Sequence, residues 1–175
     1  MIIFDKTGLI VPTLLAVFFH EAGHLFCMWA KDVPIKRIKL IPTSVQITAS
    51  DFASFKSDIA VSLCGPLCNF FLFVVLFLNS CLYKNHTILI FSLINLLIAF
   101  FNMLPLKGLD GGRILHSLVA LKKGSEKADK VLSVVTFIFS LLLIAFSVFL
   151  TVNNIFNISL YIIALYLLII SIAKK

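Results

Sequence analysis

His20, Glu21 and His24 stand in a His-Glu-Ala-Gly-His run, two imidazoles four residues apart with a carboxylate beside the first. On a helix that spacing puts both rings on one face, where they can share one divalent metal. Glu21 is then placed to take a proton from water on such a metal. The run lies inside residues 9–30, a stretch apolar enough to cross a bilayer. Ionisable groups are expensive there, so a functional reason is the default expectation.

The elements that must position this set are membrane helices. The chain has 175 residues, 61% hydrophobic and 13% charged, against about 25% charged in a soluble domain. Its mean hydropathy is +1.09, and the apolar residues come in long blocks rather than at helix or strand periods. No linker, low-complexity tract or repeat marks a second domain, so residues 1–175 read as a single membrane-embedded domain. The expected fold class is an all-α polytopic membrane protein. It has about five transmembrane helices, at about 9–30, 59–83, 87–104, 131–152 and 158–173, and a small membrane-surface β-hairpin after the first. Each span has roughly 17 to 25 residues, enough for a hydrocarbon core of about 30 Å.

The hairpin is read in residues 33–49, where Ile38 and Leu40 alternate with Arg37 and Lys39, then Val45 and Ile47 with Gln46 and Thr48. Pro42, Thr43 and Ser44 supply turn chemistry between them. An irregular basic loop is the alternative for so short a pattern. After the third span, Pro105 ends or kinks the helix, and Gly108, Gly111 and Gly112 permit an unwound backbone. A short amphipathic helix over about 112–122 follows, with Ile114, Leu115, Leu118, Val119 and Leu121 on or near its apolar side.

The net charge of +7 points to topology rather than to nucleic acid, because the basic residues collect in loops beside the spans. With five spans, only Lys6 and Lys84 fall on the side of the N-terminus. Thirteen of the fifteen basic residues fall on the other side. The positive-inside rule therefore expects the hairpin, the glycine-rich segment and the C-terminus in the cytoplasm, and the N-terminus outside. A cleaved signal peptide is not expected, since Asp5 and Lys6 replace a basic leader. Cys27, Cys64, Cys68 and Cys81 lie within or at the ends of spans, which is no disulfide framework. Cys64 and Cys68 share a helical face but read as packing residues before ligands.

A catalytic zinc takes three protein ligands and keeps one position open. Two histidines are supplied. Asp110 is the only carboxylate between Asp58 and Glu126, and the backbone at Gly108 and Gly111 lets it turn back toward the metal. An ordinary Asp-Gly surface turn is the competing reading.

His20 to His24, Gly65-Pro66-Leu67-Cys68-Asn69 in the second span, and Asn102 to Gly112 after the third resemble the site-2 protease family, intramembrane zinc metalloproteases. The resemblance covers about residues 9–121 and includes the order of motifs, the topology and the basic hairpin. It implies a three-helix catalytic core there, with the helices at 131–173 as accessory spans. It implies that His20, His24 and Asp110 hold one zinc ion per chain and that Glu21 is the general base. Asn102 would position substrate or polarise the scissile carbonyl, although an asparagine at a helix end is as often a cap. The implied partner is a membrane-bound, single-span protein substrate, such as a regulator precursor or a remnant signal peptide, cut within or near its span. The implied location is a bacterial cell membrane.

Where members of the family carry a second proline two residues before the aspartate, Gly108 stands in this chain, so a more flexible ligand loop is expected. The loops have no room for a PDZ-like insertion, which makes the chain resemble the compact sporulation-protease branch. The regulatory domain of that branch is not found. His116 reads as a surface histidine before a fourth ligand, and His86 as a solvated residue on the far side of the membrane. Asn69 is a candidate for bonding across helices near the site. Two other classes compete. A non-proteolytic metal-binding or transport protein would want polar residues through the last two spans, which carry no charge. A CAAX-type protease would want a glutamate ligand within a helix, whereas Glu126 sits in a Lys-rich stretch.

Overall fold

In the computed structural model the described residues are 8–32, 35–41, 44–49 and 54–172, with the segments 35–41 and 44–49 described by backbone alone. The charges of Lys6, Lys174 and Lys175 and the turn residues Pro42 and Thr43 lie outside the described residues. The chain divides into two compact units, Met1–Leu104 and Pro105–Lys175.

The first unit contains α1 (Ile10–Ala30), β1 (Ile35–Ile41), β2 (Ser44–Ala49), α2 (Phe55–Tyr83) and α3 (His86–Asn102). The backbones of β1 and β2 pair antiparallel, with Ile38 opposite Ile47 and Leu40 opposite Val45, and the register shifts between Ile35 and Arg37. The Ser54 hydroxyl caps α2 by accepting from the Ser57 amide at 3.2 Å, and Asp58 adds an acidic group to its first turn. Lys84 closes α2 in the left-handed region, at φ 49°. Asn85 then opens α3, its side-chain oxygen accepting from the Thr87 and Ile88 amides at 2.9 and 3.3 Å. Two residues thus reverse the chain between long helices.

The packing of this unit inverts that of a soluble protein. Ser62, Asn69, Ser92 and Asn95 are fully buried, whereas Phe18, Phe26 and Phe71 are about two thirds exposed. Lipid tails are as apolar as phenylalanine, so burial does not favour large side chains here. Small and hydrogen-bonding residues that let helices approach are favoured instead. Gly23 shows the effect: a Cβ there would sit 2.7 Å from the Cys64 carbonyl oxygen. Cys27, with Met28 and Val61, forms a small core against which Cys64 packs. Cys64 and Cys68 also line an apolar groove between α1 and α2. The thiols are packing residues there.

The second unit contains α4 (Asp110–Lys123), α5 (Ser125–Val152) and α6 (Ile158–Ile172). Here the structure corrects two boundaries. The helix expected from residue 112 begins at Asp110, and Gly111 and Gly112 are helical and buried. Gly112 serves close approach rather than unwinding, because a Cβ on it would lie 2.7 Å from the Leu106 carbonyl carbon and overlap its oxygen. In this unit the non-helical residues before α4 are 105–109, where Gly108 takes φ +92°. The helix expected from residue 131 begins at Ser125. Hydropathy marks where lipid starts, whereas the polar turn from Ser125 to Lys130 continues the helix in water. Gly124, at φ +84°, separates it from α4.

Among the described residues, three helices, α1, α2 and α5, are long and apolar enough to cross a membrane. Two further apolar helices, α3 with 17 residues and α6 with 15, are shorter. At 1.5 Å per residue they measure roughly 26 and 22 Å, less than the hydrocarbon thickness of about 30 Å.

Candidate metal centre

His20 and His24 are four positions apart on the helix, and both imidazoles are buried on the inner face of α1. Their Nε2 atoms stand 3.2 Å apart, with the rings nearly perpendicular at 86°. Glu21, between them on the helix, is half-buried.

The partners of the two Nδ1 atoms fix which nitrogen carries the proton. His24 Nδ1 lies 2.8 Å from the Val61 carbonyl oxygen of α2. A carbonyl only accepts, so Nδ1 bears the hydrogen and Nε2 keeps a lone pair. His20 Nδ1 lies 2.9 Å from Asn69 Oδ1, and that amide is oriented in turn. Asn69 Nδ2 donates to the Ala16 carbonyl at 3.0 Å and to Asn95 Oδ1 at 2.9 Å. Asn95 Nδ2 donates to the Phe91 carbonyl at 2.9 Å. Two backbone carbonyls therefore set both amides, and the second amide presents its oxygen to His20. The chain Asn95–Asn69–His20 crosses α3, α2 and α1.

With both Nδ1 atoms protonated, two Nε2 lone pairs face each other, an arrangement that repels until a cation lies between them. Two nitrogens bound at about 2.0–2.1 Å to one tetrahedral zinc would be about 3.3 Å apart. The observed 3.2 Å fits that ion, and His20 with His24 forms a possible metal-binding group. A hydrogen bond from each Nδ1 to an oxygen is the usual arrangement behind metal-bound imidazoles.

Gly65 makes room for the rings. A Cβ there would lie 2.5 Å from His24 Cε1 and 2.9 Å from His20 Cε1, so the imidazoles rest on bare α2 backbone. Pro66 follows inside the helix and removes the amide that would bond the Ser62 carbonyl.

The other residues singled out from sequence fall as follows. Asn102 is the last residue of α3, half-buried, with its Nδ2 donating to the Ile98 carbonyl of its own helix at 3.0 Å. Asp110 belongs to the second unit, where it is buried, 8% exposed, as the first residue of α4. A carboxylate in a first turn is favoured by the helix dipole. His116 faces Asp129 of α5, Nε2 to Oδ1 3.3 Å, on a partly exposed surface. His86 is exposed at the start of α3. Sequence reasoning missed Asn95 and the Val61 carbonyl. An asparagine inside an apolar span was the one signal for Asn95, whereas a carbonyl has none.

Residues 82–146 match the model of peptidase family M50. A zinc metalloprotease of Methanocaldococcus jannaschii is 30% identical over 128 residues, covering 70% of this chain and 38% of that protein. Stage IV sporulation protein FB of Bacillus subtilis is 32% identical over 138 residues, covering 74% of this chain and 46% of that protein. The chain thus spans less than half the length of both relatives. Among solved structures, a site-2 protease from Methanocaldococcus jannaschii superposes with a TM-score of 0.76 at 22% identity, over 99% of this chain and 84% of that one. This last likeness concerns the fold.

Proposed function

We propose that the chain, whose residues 82–146 match the model of peptidase family M50 and which is similar to two curated relatives of about 30% identity, is an intramembrane zinc metalloprotease of the site-2 protease kind. It would hydrolyse a peptide bond within or near the transmembrane segment of a membrane-bound protein. The observation that carries this reading is the pair of imidazoles on α1, each held by its Nδ1, with Nε2 atoms 3.2 Å apart inside a helix apolar enough to span a bilayer.

His20, His24 and Asp110 would hold one zinc. Each is buried and offers one ligand atom, and two imidazoles with a carboxylate are a donor set that zinc takes. Bound zinc supplies Lewis acidity and an acidified water. Glu21 accepts the proton of the attacking water and returns it to the amine nitrogen as the carbon–nitrogen bond breaks, so no net proton is consumed. Asn69 and the Val61 carbonyl keep both imidazoles aimed through that cycle. Asn102 would position substrate through its amide oxygen, since one amide hydrogen is engaged on Ile98.

A transmembrane substrate hides its peptide bonds in helical hydrogen bonds and must be unwound to be cut. The β1–β2 pair offers a strand edge that an unwound, extended segment can join. The reading includes five crossings, with α3 and α6 as short spans, the N-terminus outside, and the hairpin and C-terminus cytoplasmic. The distribution of basic residues supports it. A transport role finds less support, since Val131 to Ile172 carries no charge.

The test compares membrane proteomes of cells carrying wild-type or Glu21→Gln protein, together with zinc content. Glu21→Gln should retain zinc while single-span proteins accumulate uncut, and His20→Ala should lose both zinc and cleavage. A zinc-loaded Glu21→Gln protein that still cleaves would refute the assignment.

A further inference from the structure

Lys107 stands three residues before Asp110, and the sequence assigns it only to the count of cytoplasmic charges. The second unit gives it specific partners. Its Nζ donates to the carbonyl oxygens of Ile170 and Ser171, at 3.1 and 3.3 Å. Both belong to the last turn of α6, which ends at Ile172. Carbonyls of a final helical turn have no partner within the helix and carry the negative end of its dipole. A lysine ammonium there satisfies two of them and complements the charge.

The backbone of the same residue is held as well. The Lys107 amide donates to Thr136 Oγ1 of α5 at 3.0 Å. That hydroxyl is fully buried and donates onward to the Leu132 carbonyl at 2.8 Å. On either side, Leu106 is buried to 1% exposure and its carbonyl accepts from the Leu109 amide at 3.2 Å. Its carbonyl also lies against Gly112 of α4. The segment 105–109 is therefore tied to three helices, although it contains the conformationally permissive Gly108.

We propose that Lys107 is a positioning residue that anchors the segment leading to Asp110 onto the C-terminal end of α6. The last helix then belongs to the apparatus that sets a metal ligand. This rests on the reading of Asp110 as that ligand. It gives α6, which lies beyond the residues matched by the family model, a task of its own. It also explains why Gly108 in place of a stiffer residue leaves the loop in a defined shape.

The test uses the full chain purified in detergent, with zinc itself as the probe. Zinc affinity is measured by competition with a chromophoric chelator, and amide hydrogen exchange is followed over residues 105–111. Lys107→Met keeps the aliphatic stem and removes the donors and the charge. It should weaken zinc binding about tenfold, the effect of losing a partner behind a ligand, and speed exchange of the Lys107 and Leu109 amides at an unchanged melting temperature. Lys107→Arg should restore both readouts. Thr136→Val, which removes only the acceptor of the Lys107 amide, should weaken binding about threefold, and it decides the matter if Lys107→Met does not fold. Zinc affinity and exchange both at wild-type values in the folded variants would overturn the proposal. Asp110→Ala separates the two readings. If it binds zinc like wild type, the ligand reading fails, and exchange alone still shows whether Lys107 anchors the segment. If Asp110→Ala loses zinc while Lys107→Met does not, the anchoring proposal alone fails.

Discussion

Replacing Asn69 by leucine keeps the branched four-atom skeleton of the side chain and removes the amide, and its cost follows chiefly from the bonds lost. Three buried groups lose a partner: His20 Nδ1–H, the Ala16 carbonyl and Asn95 Oδ1. Interhelical hydrogen bonds in membranes average about 0.6 kcal/mol, while a buried group left unpaired costs about 1–3 kcal/mol. Asn69 is fully buried, so water cannot substitute, and a stability loss of about 2–4 kcal/mol is expected. The effect on metal is separate. Without an oxygen to hold its Nδ1 hydrogen, His20 is free to turn or to move the hydrogen to Nε2, the nitrogen that faces His24. Loss of such a partner weakens metal binding about 10- to 100-fold, or about 1.4–2.7 kcal/mol. Zinc competition titration of purified Asn69→Leu protein, beside its thermal unfolding with zinc removed, measures both quantities. Asn69→Asp is the informative control, since it keeps an oxygen for His20 and loses both donors. It should hold zinc within about threefold of wild type while losing stability. If Asn69→Leu folds and binds zinc within about twofold of wild type, the amide does not orient His20 and the tautomer argument is wrong.

Gly65→Ala should leave helix content intact by circular dichroism yet reduce zinc binding at least about tenfold. The methyl would meet His24 Cε1 at 2.5 Å, and overpacking typically costs about 1–3 kcal/mol. Gly112→Ala should lower the melting temperature, because its Cβ would overlap the Leu106 carbonyl and the clash outweighs a helix-propensity gain of about 1 kcal/mol. A melting temperature at or above wild type would contradict that packing. His116→Ala should change stability by less than about 1 kcal/mol, as expected for a surface pair whose Asp129 is 61% exposed. Zinc content should not change, and a loss of zinc would favour reading His116 as a fourth ligand over a surface histidine.

Much of the centre is legible in the chain because its defining spacing is local. Two histidines four apart share a helical face wherever that helix sits, and Glu21 comes with them. What holds them is not local. Val61 contributes a carbonyl, which every residue has. Asn95 matters only because α3 lies antiparallel to α2 at the register that brings it to Asn69. The glycines misled for a related reason. Poor helix propensity at Gly111 and Gly112 suggested unwinding, whereas contact with the Leu106 carbonyl makes glycine the residue that keeps α4 regular there. Lys107 was read as one cytoplasmic charge among many, since nothing in sequence pairs it with a helix end sixty residues away. The start of α5 at Ser125 was missed because a hydropathy pattern ends where lipid ends.

The two-residue reversal at Lys84 and Asn85 has a consequence for how such a chain enters lipid. An asparagine carried into hydrocarbon on a lone helix exposes two donors and an oxygen with nothing to meet them. Asn69 and Asn95 face each other across the hairpin that this reversal closes, and the remaining amide bonds go to the Ala16 and Phe91 carbonyls. Entering together, α2 and α3 pair Asn69 with Asn95 before either meets the acyl chains, and α1 then supplies the Ala16 carbonyl and His20 for the rest of the Asn69 amide. Biogenesis of the membrane-embedded part is thus favoured as a hairpin unit, and the amide that aims His20 is already in register when α1 packs against it.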